Sequence, residues 1–164
     1  MAGAMAAPIS LIQSPSNASA GQPFNIDVVV DPDGSAIAGT QLNIGFDSSL
    51  MKVNSVTEGD LFSQSGTNTF FNHGDIDNQA GTITNIYGAI LGPRKVNTRG
   101  TFIIINATAI EDITDAAGIS LSNVMISTPE GAPVMPTGAH ITPAKPAQTN
   151  TGNGNGEDSG DRRW

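Results

Sequence analysis

The chain has 164 residues, enough for one domain with a sizeable core plus tails. Only 13% of residues are charged, against 19 Gly and 10 Pro, which favours strands and turns over helices; the net charge of −8 makes nucleic acid and anionic membranes poor partners. With no cysteine, thiol catalysis, disulfides and Cys-zinc sites are excluded, and no apolar run is long enough to span a bilayer.

Met1 to Ala6 (MAGAMA) reads as a cloning remnant, with any native export signal cut away; residues 1–8 are set aside as scar or disordered N-terminus. Ile9 to Gln13 is a short first strand, and SPSNASAG (14–21) is a turn. Phe24 to Val30 alternates, then becomes continuously apolar, and stops at Asp31-Pro32-Asp33-Gly34. From Ile37 to Phe62 two more strands are expected. Leu42, Ile44 and Phe46 fall on one face, with Gln41, Asn43 and Gly45 on the other. Asp47-Ser48-Ser49 turns the chain, Leu50, Val53 and Val56 resume the apolar pattern, and Glu58-Gly59-Asp60 closes it before Leu61 and Phe62.

Thr69 to His73, Thr82 to Leu91, Thr101 to Ile110 (the most apolar, hence the centre of the core) and Ile119 to Ser127 follow as strands. Asp112 to Ala117 has room for one helical turn. Val134 to Thr142 holds the last strand, bent at Pro136 and Gly138. About nine strands with no long amphipathic helix imply an all-β sandwich or jelly roll. Residues 144–164 are rich in Pro, Gly and Asn, cannot bury enough apolar surface to order, and are read as a disordered linker or tail that includes the only Trp, Trp164.

The stretch Ile37–Phe62 resembles the cohesin family in its Ala38-Gly39 before a strand, Phe46-Asp47, the Leu50 to Val53 run, and the Gly59-Asp60-Leu61-Phe62 close. Ser48 stands where the family commonly has Pro. The Ala20-Gly21-Gln22-Pro23-Phe24 lead into a strand is similar too. The resemblance covers residues 9–143 and implies a nine-stranded jelly-roll β-sandwich that is not an enzyme. It implies docking of a dockerin-bearing protein through one flat sheet face, formed by the third, fifth, sixth and eighth strands. Mapped here, the third strand offers Gly39, Gln41 and Asn43, and the sixth offers Thr84, Ile86 and Gly88, with Ala89 and Leu91 near its end. The fifth offers Asn72, and the eighth Met125 or Ser127, where a one-residue slip would turn the face over. Ile86 faces out if Tyr87 is buried with Ile83; Asn85 argues against this, because it would then go inside and need partners. Ile86 and Leu91 are the expected anchors. Calcium is expected in the dockerin and not in this module. The setting implied is an extracellular or cell-surface assembly, with polysaccharide contacted only indirectly.

Other chemistries have less support. His73 beside Asp75 and Asp77 has the residue types for acid–base or metal work, but a polar strand end and turn explains the same residues. Asp75-x-Asp77 begins like a calcium loop, yet the twelfth position, where a closing Glu belongs, is Ile86. His140 reads as structural. Asn17-Ala18-Ser19 and Asn106-Ala107-Thr108 fit the glycosylation pattern, with Asn106 disfavoured inside an apolar strand. The alternative to docking is a carbohydrate-binding or adhesive sandwich, but with one Tyr, one Trp and six Phe, most at core positions, a row of stacking rings is poorly supplied.

Overall fold

Alternation sets most of this molecule: the long strands place apolar residues at every second position except where a β-bulge interrupts them, and those positions together make the core. The structure, a computed structural model, describes residues 6–32, 34–92, 94–137 and 141–143. His140 and the 144–164 stretch lie outside the described residues.

Thirteen strands, rather than nine, run through the described residues. They are β1 (Ala6–Ser14), β2 (Asn17–Ala18), β3 (Pro23–Val30), β4 (Gly39–Phe46), β5 (Met51–Glu58), β6 (Thr69–Asn72) and β7 (Asp75–Asp77), then β8 (Thr82–Ile90), β9 (Gly100–Ala109), β10 (Ile113–Thr114), β11 (Ile119–Ser127), β12 (Pro133–Thr137) and β13 (Ile141–Pro143). The additions are the short β2, β7 and β10, and the division of the last expected strand into β12 and β13. The helical turn expected at Asp112–Ala117 is replaced by β10, paired with β2, and a turn in which Asp115 and Ala116 take left-handed φ of 54° and 60°.

Two layers result. One has the order β5-β9-β3-β1, the other β12-β11-β4-β8-β6, with β7 beside β8 and β13 beside β11. Strand β1 joins them. Its Ile9–Ser14 part runs antiparallel to β3, while Ala6, Ala7 and Pro8 run parallel to Met135, Pro136 and Thr137 of β12. Ala7 is buried, so the ordered strand starts ahead of Ile9 and takes in residues that the sequence had set aside.

Leu42, Ile44 and Phe46 of β4, Ile83, Ile86 and Ile90 of β8, and Leu121, Val124 and Ile126 of β11 face Ile26, Val28, Ile103 and Ile105 of the opposite layer in one apolar cluster. Each such side chain contributes about 1.5–3 kcal/mol by leaving water. The Gly59-Asp60-Leu61-Phe62 segment straps the end of β9. Leu61 donates its N–H to Thr101 O at 2.8 Å, Asp60 Oδ1 accepts the Thr101 N–H at 2.8 Å, and Leu61 and Phe62 are buried. Gly59 must be glycine here, because a Cβ would lie 2.2 Å from Thr101 O. Phe102 then takes Phe62 and Phe71 edge-on, at ring-centroid distances of 6.1 and 6.3 Å, tying the two layers together.

At the other end, buried Gln13 closes the gap that β10 leaves. Its Nε2 donates to the carbonyls of Pro15, Ser16 and Ile113, and its Oε1 accepts the Ala116 N–H at 2.7 Å.

Candidate docking face

The outer face of the β11-β4-β8-β6 layer is a grid whose rows follow from strand register. One row crosses Ser127, Gly39, Ala89 and Phe70, and the next crosses Met125, Gln41, Tyr87 and Asn72. Below them Ser122, Asn43 and Thr84 lead to Asp75, and the last row joins Ser120, Gly45 and Thr82 to Asp77. Leu91, just past β8, is exposed at the top and donates its N–H to Asn68 O at 2.9 Å.

Of the expected surface residues, Gly39, Gln41, Asn43, Asn72, Thr84, Ala89, Met125 and Ser127 lie on this outer face, with Leu91 at its end. Gly39, although on this face, is buried by its neighbours, and a Cβ there would lie 3.1 Å from Ser127 Oγ.

Ile86 and Gly88 are corrections. Ile86 is fully buried, and Gly88 points inward at Phe102, where a Cβ would lie 2.8 Å from Cε1. Tyr87 is the outward residue between them, 37% exposed. The cause is a β-bulge. Leu42 pairs with Ile86 and Ile44 with Ile83, so two residues of β8 stand opposite Asn43 alone. Asn85 is the extra residue, with a left-handed φ of 64°, a conformation Asn tolerates better than most side chains. Its N–H goes to Asn43 Oδ1 at 3.0 Å and its carbonyl accepts Asn72 Nδ2 at 2.9 Å. The backbone groups that the bulge pulls out of the ladder are thereby satisfied, and every residue after Asn85 changes face. A second bulge, at Asn123 (φ 50°), flanks β4 on the β11 side, so that Ser122 and Met125 both face outward.

The bulge at Asn85 exposes Tyr87, which sequence periodicity had placed inside. Among the described residues six large hydrophobics are exposed, and four of them belong to this face or its end: Phe70, Tyr87, Met125 and Leu91. Phe70 and Tyr87 were missed as surface residues. For Tyr87 the available signal was Asn85, a polar residue with left-handed tolerance in mid-strand; for Phe70 it was the shared parity with Asn72. Their rings touch at a centroid distance of 5.8 Å and an interplanar angle of 52°, so they form a ridge and not a coplanar platform.

The centre of the face carries no charge, and its acids lie at one end. His73, Asp75 and Asp77 are all exposed, and the described residues contain no group of three His, Cys, Asp or Glu side chains able to hold a metal ion. Asp77 Oδ1 caps the following turn through the N–H groups of Gln79 and Ala80 at 3.0 and 2.9 Å. Asp47, just past β4, accepts the Ser49 hydroxyl and N–H, which hold its carboxyl below the ordinary carboxylate value.

Fold and face together define an all-β sandwich module with large hydrophobic side chains exposed on one side. Residues 10–136 match the family model of the cohesin domain, and the chain belongs to that family. A chain from a type II cohesin–X–dockerin complex of Acetivibrio cellulolyticus is similar at 11% identity, over 85% of this chain and 96% of that one, with a TM-score of 0.61. A non-cellulosomal cohesin from the hyperthermophilic archaeon Archaeoglobus fulgidus is similar at 12% identity, over 86% and 88%, with a TM-score of 0.58. A chain from a type I cohesin–dockerin complex of Clostridium thermocellum is similar at 14% identity, over 87% and 93%, with a TM-score of 0.59. At these identities the likeness is one of fold. No curated protein matches the chain.

Proposed function

We propose that this module docks a dockerin on the outer face of β11-β4-β8-β6 and catalyses nothing. The observation that carries the reading is the clustering of Phe70, Tyr87, Met125 and Leu91 on one side of the sandwich. A few large apolar or aromatic anchors generally dominate binding energy, while the polar groups around them set register. Here Tyr87, Phe70 and Met125 are the anchors. Gln41 is the register group between Met125 and Tyr87, and Asn43 and Asn72 hold the bulge that presents Tyr87.

Residues 9–143, extended at the front by Ala6–Pro8, form the functional unit, and 144–164 acts as a linker to the rest of an extracellular or surface assembly. The module needs no cofactor of its own; calcium acts through the partner, whose loops fold around it. Described residues include no helix long and apolar enough to cross a membrane. Polysaccharide is reached through the partner's cargo. The 52° tilt between Phe70 and Tyr87 supports this over direct sugar stacking, which wants coplanar rings.

The test is calorimetric titration against a panel of dockerins with calcium and with chelator. Binding by one or more dockerins, lost on chelation and weakened about 30-fold or more by Tyr87→Ala, is the expected result, since a central anchor costs about 2 kcal/mol or more. Retention on insoluble polysaccharide with no dockerin bound would replace this reading with the carbohydrate-binding one.

A further inference from the structure

The layer that carries the proposed docking face ends in an open strand, β6. Leu91 donates its N–H to Asn68 O on the β6 side, and Ile90 donates to Ala38 O on the β4 side. These bonds fix the phase of the ladder. Phe70 and Asn72 turn their backbone groups toward Ala89 and Tyr87 of β8, and those of Thr69 and Phe71 point away from the sheet. Among the described residues no strand pairs beyond β6. Thr69–Asn72 (TFFN) has neither a charge nor a Pro, the usual guards of an exposed edge, and its outward Phe70 is 50% exposed. The terminal strand of the other layer, β5, is guarded. Asn78 Oδ1 accepts the Val53 N–H at 2.8 Å and Asn78 Nδ2 donates to Val53 O at 2.9 Å, so a side chain takes the place of a further strand.

The two ends of the open edge carry opposite charge. Asp75 follows β6 at one end, exposed on β7. Exposed Arg94 stands at the other, its Nη1 3.4 Å from Ser65 O. The Arg94 loop is fixed there by Val96, which exchanges both backbone hydrogen bonds with Ile37 at 2.9 Å. An edge that is acidic at one end and basic at the other complements itself when turned end for end.

We infer that two copies of this chain join edge to edge through β6, antiparallel across a two-fold axis, with Phe70 facing Phe70. Thr69 of each copy then exchanges both backbone hydrogen bonds with Phe71 of the other, which satisfies the outward groups of the edge. The two Phe70 rings meet at the non-hydrogen-bonded pair, where the Cα atoms of an antiparallel ladder come within about 4.5 Å and side chains are closest. The same register brings Asp75 of each copy toward Ser65 of the other, the residue whose carbonyl holds Arg94. Opposite charges therefore meet at both ends of the pairing. Shifting the register would part the Phe70 rings and move Asp75 away from Arg94. The inference goes beyond the docking reading and does not depend on it. Of the docking anchors it uses only Phe70, and it leaves Tyr87 and Met125 open on one continuous outer face.

Sedimentation velocity on the full chain, from about 1 μM to about 1 mM, is the test. The expected result is a shift from monomer to dimer as concentration rises. Thr69→Pro removes an outward N–H that the fold does not use, and Phe70→Lys sets like charges against each other at the axis. Each should weaken dimerisation about tenfold or more and leave the urea melt of the monomer in place. Arg94→Glu alone and Asp75→Arg alone should each weaken it about tenfold, and the two together should restore it, because the exchanged charges again meet as opposites. Both residues are exposed, so this exchange does not rest on a variant that fails to fold. A monomer across the whole range overturns the inference. So does a dimer indifferent to Thr69→Pro and Phe70→Lys, or one that the paired charge exchange does not rescue, since another surface would then be joining the copies. No dockerin enters the measurement, so its outcome is separate from that of the docking titration.

Discussion

The two outer faces of the sandwich are built by the same alternation and carry opposite chemistry. On the β5-β9-β3-β1 side the outward side chains bond to one another. Asn106 Nδ2 donates to Asn25 Oδ1 at 2.9 Å, and Asn54 Nδ2 reaches Asn106 Oδ1 at 3.1 Å and Thr108 Oγ1 at 3.0 Å. Exposed Ile12 on this side is an isolated apolar residue of the sort any surface carries. On the β11-β4-β8-β6 side outward Asn43 and Asn72 serve the backbone of a bulge, and large apolar side chains, Phe70, Tyr87 and Met125, are left facing solvent. A face whose polar groups are already paired gains little from a partner. A face holding rings in water gains from being covered. Backbone irregularity therefore separates the two sides as much as composition does, because the bulge at Asn85 puts Tyr87 where a regular strand would put Ile86.

The sharpest way to break this contrast is to exchange neighbours across the bulge. Ile86→Asp should unfold the module or cost about 4 kcal/mol or more, as a carboxylate in the apolar core without a partner. Tyr87→Asp should change stability little and abolish docking. Urea melts of both variants decide it, and a folded Ile86→Asp protein that has merely lost docking would reverse the face assignment. Gly88→Ala tests the inward side more gently. Its new methyl would press on Phe102, with an expected loss of about 1–3 kcal/mol in the same melt. Asn106→Ala, on the polar face, should remove about 1 kcal/mol by leaving Asn25 and Asn54 short of a partner, with dockerin affinity unchanged. A matching loss of affinity would show that the second face also docks.

The smallest effect concerns Asp27, on that same polar face. Desolvation, helped by the nearby charge of Asp60, holds its carboxyl above the ordinary value of 3.8. Its ionised form is therefore disfavoured in the folded state, so its contribution should improve as pH falls through the folded value and level off below the unfolded one. Asp27→Asn should be slightly more stable than wild type at neutral pH, with the difference shrinking in acid. Stability curves across the carboxylate range check the sign.

Much of this protein was legible before any coordinates. The Leu42, Ile44, Phe46 alternation, the turn at Asp47-Ser48-Ser49 and the strap at Gly59-Asp60-Leu61-Phe62 are local patterns that the fold reproduces. Asn106, disfavoured as a glycan site because it lies within an apolar strand, points outward, with its amide engaged by Asn25 and Asn54. Pieces as short as β2, β7 and β10 escaped notice because two or three residues carry no periodicity.

By itself the sequence determined the all-β class, the apolar face of most long strands and the family, since period-two alternation and turn chemistry are written in adjacent residues. Only the tertiary structure decided which residues of β8 face outward. An extra residue in a strand is held by groups distant in sequence, Asn43 on β4 and Asn72 on β6, which satisfy the N–H and carbonyl of Asn85. Until those strands lie side by side nothing marks where the alternation breaks, and one residue is enough to exchange inside for outside.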